Sequence, residues 1–250
     1  MATLPGNPNP PPPNKVNYGI DAPGVIRNIL IGAFLCFLFA GIGFFVNNPL
    51  INDLAVSFAF AGFSLLPAGL LMLRYSLHGK YKYREYLLNS INWKGNEQVL
   101  DVGTGKGLLM VGAAKRLTTG RSYGIDIWNK EDLTGNNAAN ALQNALIEGV
   151  ADKVQVENVN VISMDFGNNT FDVVISNLCL HNIYNKEDRR KACMEIYRVL
   201  KPSGIAIISD FKHTREYDAL FKELGMKTAK RTTSYFTTFP PLSVVKAEKL

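Results

Sequence analysis

Residues 99–117 read VLDVGTGKGLLMVGAAKRL. The segment begins as an apolar run that ends at Val102, continues through glycines at positions 103, 105 and 107, and then takes on a helical pattern. Glycine is needed where the backbone turns tightly and approaches a ligand without a Cβ atom in the way. The segment therefore predicts a buried strand, a ligand-binding turn and a helix, in that order.

The C-terminal part of the chain alternates short apolar runs with longer amphipathic stretches. The runs read QVLDVG, SYGIDI, KVQVENV, FDVVISN and IAIISDF, and helical patterns lie near residues 107–117, 136–148 and 186–200. This alternation is typical of a βαβ domain. Because the crossovers in such a sheet are right-handed, the strand ends that carry loops line one edge, and ligands bind at that edge.

The spacing of the glycines separates two kinds of cofactor-binding turn. Dinucleotide-binding proteins use G-x-G-x-x-G, which would place a third glycine at position 108, where this chain has Leu108. The chain has D-x-G-x-G-x-G instead, with Asp101 inside the strand. An NAD-linked reductase is therefore disfavoured.

The turn and the segments that follow it resemble the class I S-adenosylmethionine-dependent methyltransferases, especially the ubiquinone/menaquinone methyltransferase group. The resemblance covers roughly residues 80–225 and, more loosely, the C-terminal tail. It implies S-adenosyl-L-methionine as the cofactor. It also implies an α/β fold with a Rossmann-like, doubly wound, seven-stranded and mostly parallel sheet that has helices on both faces. Residues 231–250 would form an antiparallel pair of strands that completes the sheet.

The resemblance further implies the contacts of the cofactor. Asp101 and the glycine turn would hold its methionine portion. Asp126, at the end of the second strand, would accept hydrogen bonds from both ribose hydroxyls, although a helix-capping or turn-forming role stays open for it. The implied cofactor-binding residues are Asp101, Gly103, Thr104, Gly105, Gly107, Asp126, Ile127, Asn160, Val161 and Asn177.

One position departs from the pattern of the family. The aspartate that usually faces the adenine amino group falls on Asn160. An amide oxygen also accepts a hydrogen bond, but more weakly than a carboxylate does. The departure concerns this one contact and not the identity of the cofactor.

The segment FDVVISNLCLHNI resembles the fourth strand and the loop that holds the acceptor in this family. Methyl transfer requires that donor and acceptor are aligned and, for some acceptors, that a proton is removed. His181 lies at that strand edge and is able to act as a base near neutral pH. Substrate positioning and a structural role stay open for it, and His213 is a second candidate. No cluster has metal-ligand spacing, so no metal site is expected.

The N-terminal part of the chain has a different composition. Residues 1–24 contain NPNPPPPNK and predict a flexible tail. Residues 29–46 and 54–73 are uncharged apolar runs of 18 and 20 residues, and a helix needs about 20 residues to cross a bilayer. They predict a transmembrane hairpin over residues 25–74, followed by the catalytic domain over residues 75–250. A pair of buried helices in a globular core is the alternative, although neither run shows a polar stripe.

Charge predicts the orientation of the hairpin. The turn between the two runs carries only Asp53, whereas the flanks on the domain side carry Arg27, Arg74, Lys80, Lys82 and Arg84. The positive-inside rule therefore predicts an integral membrane protein with both termini and the catalytic domain in the cytoplasm. The basic cluster after the second run suits an anionic membrane surface, and the chain has a net charge of +6. A nucleic-acid partner is not expected, because no binding motif accompanies the charge.

These features together predict a membrane-anchored enzyme that transfers a methyl group from S-adenosylmethionine to a small, lipophilic acceptor. A domain that is tethered at the bilayer meets membrane-dissolved substrates at a high effective concentration. Two alternatives stay open. One is a catalytically inactive, cofactor-binding membrane scaffold, and the other is a protein methyltransferase.

Overall fold

Two long helices form an antiparallel hairpin at the N-terminal end of the described chain. The computed structural model describes residues 15–46 and 48–250, so residues 1–14 of the predicted tail lie outside the described residues. Helix α1 spans Pro23–Phe44 and helix α2 spans Pro49–Arg74. The Asn48 side chain accepts hydrogen bonds from the first backbone amides of α2. The helix therefore begins at Pro49, and not at residue 54 as predicted.

The apolar side chains of the hairpin are largely exposed. Phe34, Phe60 and Phe63 are 66%, 71% and 69% exposed. In the most apolar stretches of the two helices, only 17% and 11% of the residues are buried. The alternative of two buried core helices is therefore wrong. Both helices are long and apolar enough to cross a membrane.

Helix α2 ends at Arg74, just before the predicted start of the catalytic domain at residue 75, but the helical backbone does not break there. It continues through a π-helical turn, Tyr75–Gly79, into helix α3, Lys80–Leu88. Tyr75 and Ser76 are buried. The hairpin and the following domain therefore share one continuous helix.

In the described part of the chain, eight strands form one sheet. Its order is β3-β2-β1-β4-β5-β8-β6, and β7 also pairs with β8. The first five strands run parallel, whereas β8 is antiparallel to its neighbours. The predicted doubly wound, mostly parallel sheet is confirmed. The short β6, which lies before the predicted pair of strands in residues 231–250, is one strand more than predicted. The strands are β1 Gln98–Val102, β2 Arg121–Asp126, β3 Val154–Asn158, β4 Phe171–Asn177, β5 Leu200–Asp210, β6 Lys227–Thr228, β7 Thr232–Ser234 and β8 Leu242–Glu248.

Helices cover both faces of the sheet. Along β1 and β4, Leu100 and Val174 pack with residues of α6 and α7, whereas Val99 and Val173 pack with residues of α3 and α4. This alternation follows from the two-residue period of a strand. Because the first five strands are parallel, their carboxyl ends meet at one edge. The remaining helices are α4 Leu108–Ala114, α5 Ala138–Ile147, α6 Lys186–Val199 and α7 Thr214–Glu223.

Residues 17–22 lie on the domain, and we call them the N-terminal strap. The backbone amide of Asn17 donates to Asn144 Oδ1 at 3.0 Å. Tyr18 is 2% exposed, and Asp21 forms a β-bridge with Leu133. The prediction of a flexible tail up to residue 24 is wrong for the strap, because a buried ring and paired backbone hold it in place.

Candidate active site

A cavity of about 690 Å³ lies at the carboxyl edge of the parallel strands. Pockets of roughly 300–1,000 Å³ hold small ligands and cofactors. The ends of β1, β2 and β4, the strap and the base of the hairpin all line it. So do His181 and every residue of the predicted cofactor-binding set except Gly107. The fold thus gathers residues from distant parts of the chain into one site.

Two glycines of the turn, Gly103 and Gly105, stand where the structure has no room for a side chain. The φ angles of Gly103 and Gly105 are 71° and 55°, in the left-handed region that glycine tolerates. A Cβ atom on Gly103 would lie 2.3 Å from Cys179 Sγ, and one on Gly105 would lie 2.9 Å from Leu133 Cδ2. Gly107 is the N-cap residue of helix α4 and lies outside the cavity.

Asp101 is buried beneath this turn. Its Oδ2 atom accepts hydrogen bonds from the Thr104 hydroxyl at 2.8 Å and the Met110 amide at 2.9 Å. Burial raises the pKa of Asp101 to about 7, although both hydrogen bonds lower it. The carboxyl group is therefore close to half-ionised at neutral pH, and a nearby cation would favour its charged form.

Asp126 ends strand β2 and holds the glycine turn in position. Its carboxylate accepts hydrogen bonds from the Gly105 amide at 2.8 Å and the Trp128 amide at 2.7 Å. Asp126 thus has the turn-forming role that the sequence left open. It also lines the cavity beside Ile127, which is 61% exposed. A carboxylate that accepts two amides still has lone pairs for hydroxyl donors.

Four polar atoms of cavity-lining residues are buried and have no hydrogen-bond partner: Tyr75 Oη, Asn136 Oδ1, Asn177 Oδ1 and His181 Nδ1. Buried polar groups are normally paired, so a group without a partner needs an explanation. A bound ligand would supply a partner for the tyrosine hydroxyl and the two amide oxygens, whereas His181 Nδ1 faces Asp210. Asn160 differs from these four, because its Oδ1 atom accepts the Ile162 amide at 3.1 Å.

His181 lies in the loop after β4 and packs against the end of β5. Its Nδ1 atom is 2.9 Å from Oδ1 of Asp210, but it forms no hydrogen bond. The His181 backbone amide donates to Asp210 Oδ2 at 3.0 Å. His213 lies outside the cavity, where its Nδ1 atom is 3.6 Å from Glu216. Of the two candidate bases, the cavity therefore contains His181.

Comparison with known proteins agrees with this geometry. Residues 100–208 match the family described as "Methyltransferase domain". The ubiquinone/menaquinone biosynthesis C-methyltransferase UbiE of Hydrogenovibrio crunogenus is 34% identical over 141 residues, which are 56% of this chain and 51% of that protein. The chain carries a class I S-adenosylmethionine-dependent methyltransferase domain. The predicted family is thereby confirmed.

The methyltransferase domain has further relatives. A demethylmenaquinone methyltransferase of Lactiplantibacillus plantarum is 32% identical over 123 residues, covering 49% of this chain and 48% of that protein. This chain therefore spans about half the length of these curated relatives. The structure of a geranyl diphosphate methyltransferase in complex with S-adenosylmethionine superposes with a TM-score of 0.58, at 15% identity, over 75% of this chain and 90% of that one. That likeness concerns the fold.

The cofactor of class I methyltransferases, S-adenosylmethionine, fits the cavity of the methyltransferase domain. Two glycines without side chains, Gly103 and Gly105, lie beside two carboxyl groups, and unpaired amide oxygens line the same space. Asp101 would pair with the ammonium group of the cofactor, and Asp126 would accept hydrogen bonds from its ribose hydroxyls. Among residues 15–46 and 48–250, no group of three or more His, Cys, Asp or Glu residues could hold a metal ion.

Several residues in or near the cavity were not predicted from the sequence. Val25 of α1, Met72 of α2 and Tyr75 of the π-helical turn line the cavity, and Asp210 lies against His181. The sequence contains a signal for Asp210, because this acidic residue ends the apolar run IAIISD, as Asp126 ends SYGID. The hairpin residues had none, because their approach to the cavity depends on how the hairpin meets the sheet.

Proposed function

We propose that this protein is a membrane-anchored S-adenosylmethionine-dependent methyltransferase that acts on a small, lipophilic acceptor. One observation carries the proposal: the glycine turn and the base of the two apolar helices line the same cavity. A molecule dissolved in the bilayer would therefore have a short path from the membrane to the methyl donor.

The part of the cavity wall near the hairpin supports a lipophilic acceptor. Val25, Met72, Phe211, Phe239 and Pro240 contribute apolar surface there. Val25 is 51% exposed, so the cavity reaches the outside beside the base of α1. Burial of apolar surface stabilises a hydrocarbon group by about 25 cal/mol per Å². An acceptor with a hydrocarbon portion would gain affinity from this wall.

In methyl transfer, the protein has to align the donor with the acceptor and remove a proton from the acceptor. When bound, S-adenosylmethionine supplies an activated methyl group. As the nucleophilic atom of the acceptor bonds to the methyl carbon, the carbon–sulfur bond breaks and its electron pair stays on sulfur. His181 would take the proton of the acceptor on Nε2, the nitrogen that does not face Asp210. The buried Asp210 carboxylate beside Nδ1 would stabilise the imidazolium ion that forms.

The orientation in the membrane is part of the proposal. Both helices present exposed apolar side chains, and basic residues lie on the domain side of the hairpin. This arrangement favours two spans with the methyltransferase domain on the cytoplasmic side. A cysteine introduced as Asp53→Cys would then react with a membrane-impermeant maleimide from the opposite side only.

The test of the proposed function uses the full-length protein in lipid nanodiscs. S-adenosylmethionine with a radiolabelled methyl group is incubated with the protein and with a lipid extract and a soluble-protein fraction of the source cells. We expect label in the organic extract. Incorporation into soluble proteins alone would contradict the lipophilic acceptor. Calorimetric binding of S-adenosylhomocysteine without transfer to any fraction would favour the inactive scaffold.

A further inference from the structure

Tyr75 directly follows the hairpin, and its ring lies in the core of the methyltransferase domain. It begins the π-helical turn between α2 and α3 and is 6% exposed. It belongs to one apolar cluster with Leu178 and Ile207. Its hydroxyl oxygen is buried without a hydrogen-bond partner, and the residue lines the cavity. A π-helical turn inside a helix is frequently found at functional sites.

Asn177 has the same property in the same cavity. It ends strand β4, and its Oδ1 atom is buried without a partner. Burial of an oxygen atom without a hydrogen-bond partner costs free energy, because the atom loses its hydrogen bonds to water. A ligand that pairs with the atom removes this cost. Two such groups in one cavity form a place that a polar group of a ligand would complete.

The position of these two residues favours the acceptor over the cofactor. The glycine turn and Asp126 follow β1 and β2, whereas Asn177 ends β4, which lies between β1 and β5 and two strands from β2 in the sheet. The Tyr75 ring lies 6.4 Å from that of Tyr83, whose hydroxyl group is 2.8 Å from Ser209 of β5. Tyr75 and Asn177 therefore share the β4–β5 side of the cavity with His181.

We infer that Tyr75 and Asn177 form a polar subsite that orients a hydroxylated, otherwise apolar acceptor beside His181. Before methyl transfer, the acceptor hydroxyl would donate to Asn177 Oδ1 and accept a hydrogen bond from the Tyr75 hydroxyl. When the proton of the acceptor passes to His181 Nε2, the Tyr75 hydroxyl would continue to donate to the acceptor oxygen. The apolar remainder would lie along Met72, Phe211 and Phe239. The inference rests on the proposed function and names the chemical class of the acceptor. It also gives the hairpin a part in substrate recognition in addition to anchoring.

The experiment uses photolabelling of the full-length protein. Nanodiscs of phosphatidylcholine and phosphatidylglycerol are loaded with S-adenosylhomocysteine and with a long-chain alkylphenol that carries a diazirine in its chain. The methyl ether of the same compound is the matched probe without a hydroxyl group. Labelled peptides are identified by mass spectrometry. We expect the phenol to label residues 72–79 and 178–184, and the ether to label them less.

Tyr75→Phe keeps the ring and removes the hydroxyl group. We expect labelling of the two segments by the phenol to fall about three- to tenfold, the effect of one lost hydrogen bond. The melting temperature should change little, because the substitution keeps the ring and its packing in the apolar cluster. Tyr86→Phe is the control, since Tyr86 is 49% exposed and lies outside the cavity. Labelling of the exposed side of α2 near Phe60 is the internal reference.

Equal labelling by phenol and ether, or unchanged labelling of Tyr75→Phe, would overturn the inference. So would an absence of label from both segments while calorimetry still shows binding of S-adenosylhomocysteine, although the proposed function would then stand. If the wild-type protein does not bind S-adenosylhomocysteine at all, the proposed function fails as well. The two failures are thus distinguished by the binding measurement.

Discussion

At the scale of single residues, the glycine turn depends on loops that lie far from it in the sequence. Cys179, after β4, occupies the space beside Gly103, and Leu133, after β2, occupies the space beside Gly105. Asp126 holds the Gly105 amide from the end of β2. The turn is therefore fixed from three sides, and a change at one of its glycines would disturb its neighbours.

Gly103→Ala should weaken binding of S-adenosylhomocysteine by about tenfold or more, because the new methyl group meets Cys179. Gly149→Ala is a matched control, since Gly149 has a φ angle of 72° and open space around its Cβ position. Both variants should lose about 1 kcal/mol of stability through the left-handed backbone. Calorimetry and thermal unfolding separate the two effects. Equal affinities of the two variants would disagree with the steric argument.

Binding of S-adenosylhomocysteine should depend on pH through Asp101, whose pKa of about 7 is raised by burial. The ammonium group of the ligand needs the carboxylate form, so below pH 7 binding must release a proton. Affinity should then fall by up to tenfold for each pH unit below 7. Calorimetry in two buffers of different ionisation enthalpy should show release of nearly one proton at pH 6 and almost none at pH 8. Equal proton release at both pH values would refute this role of Asp101.

His181→Ala should lower methyl transfer to a hydroxylated acceptor by about 10²- to 10⁴-fold, the range of general acid–base catalysis. The affinity for S-adenosylhomocysteine should change little. His213→Ala is the control, because His213 lies outside the cavity. The rates are measured with the radiolabelled cofactor in nanodiscs. A rate for His181→Ala close to that of His213→Ala would remove His181 as a base.

At the scale of elements, the hairpin is held together by close contact of small residues. A Cβ atom on Gly43 of α1 would lie 2.7 Å from the Cβ atom of Ala55 in α2, and one on Gly69 would lie 2.7 Å from Leu30 Cδ2. Small residues allow helices to approach closely in a membrane, where packing and not the hydrophobic effect drives association. Helix α2 then carries this rigid hairpin into the domain through the π-helical turn.

Gly43→Leu should therefore destabilise the hairpin by about 1–3 kcal/mol through overpacking against Ala55. Gly41→Leu in the same helix is the matched control, since no atom of residues 15–46 and 48–250 lies within 4 Å of its Cβ position. The measurement is thermal unfolding in nanodiscs, followed by circular dichroism. If both variants melt with the wild-type protein, the close approach of the helices does not contribute to stability.

At the scale of the whole molecule, the strap joins three parts of the chain around the cavity. The Lys80 ammonium group is 3% exposed and donates to the carbonyl oxygens of Tyr18 at 2.8 Å and Gly19 at 2.7 Å. Ser76 donates to the Asp21 carboxylate at 2.7 Å. Asp21 also bridges to Leu133 in the loop beside the glycine turn. The continuous helix, the strap and this loop therefore form one connected wall.

Lys80→Met should release the strap, because two buried carbonyl oxygens and the Asp21 carboxylate lose their cationic partner. Hydrogen exchange of residues 17–22 should accelerate by about tenfold or more, and exchange in the loop around Leu133 should rise with it. Lys82→Met is the control, since Lys82 is exposed on the same helix. Unchanged protection of residues 17–22 would mean that other contacts hold the strap.

The features that were predictable from the sequence are those that a short segment specifies alone. The alternation of apolar runs reflects the burial of each strand and helix, and the glycine turn with Asp101 lies within a few consecutive residues. The place of Asp126 was predictable in the same way, because it ends a parallel strand and the carboxyl ends of parallel strands lie at the binding edge. These local signals predicted the strands and the glycine turn, whereas the resemblance to the methyltransferases implied the order of the sheet and the cofactor contacts, and those contacts stay predictions.

The acceptor side arises from contacts between residues that are far apart in the chain. Asp210 meets His181, the strap meets the loop after β2, and Tyr75 reaches the cavity from the π-helical turn after the hairpin. Each contact depends on the register between elements. One residue more or fewer in a helix turns the following side chains by about 100°, and a π-helical turn makes such a change. No local pattern carries that information, so the tertiary structure alone decides which hairpin side chains face the cavity.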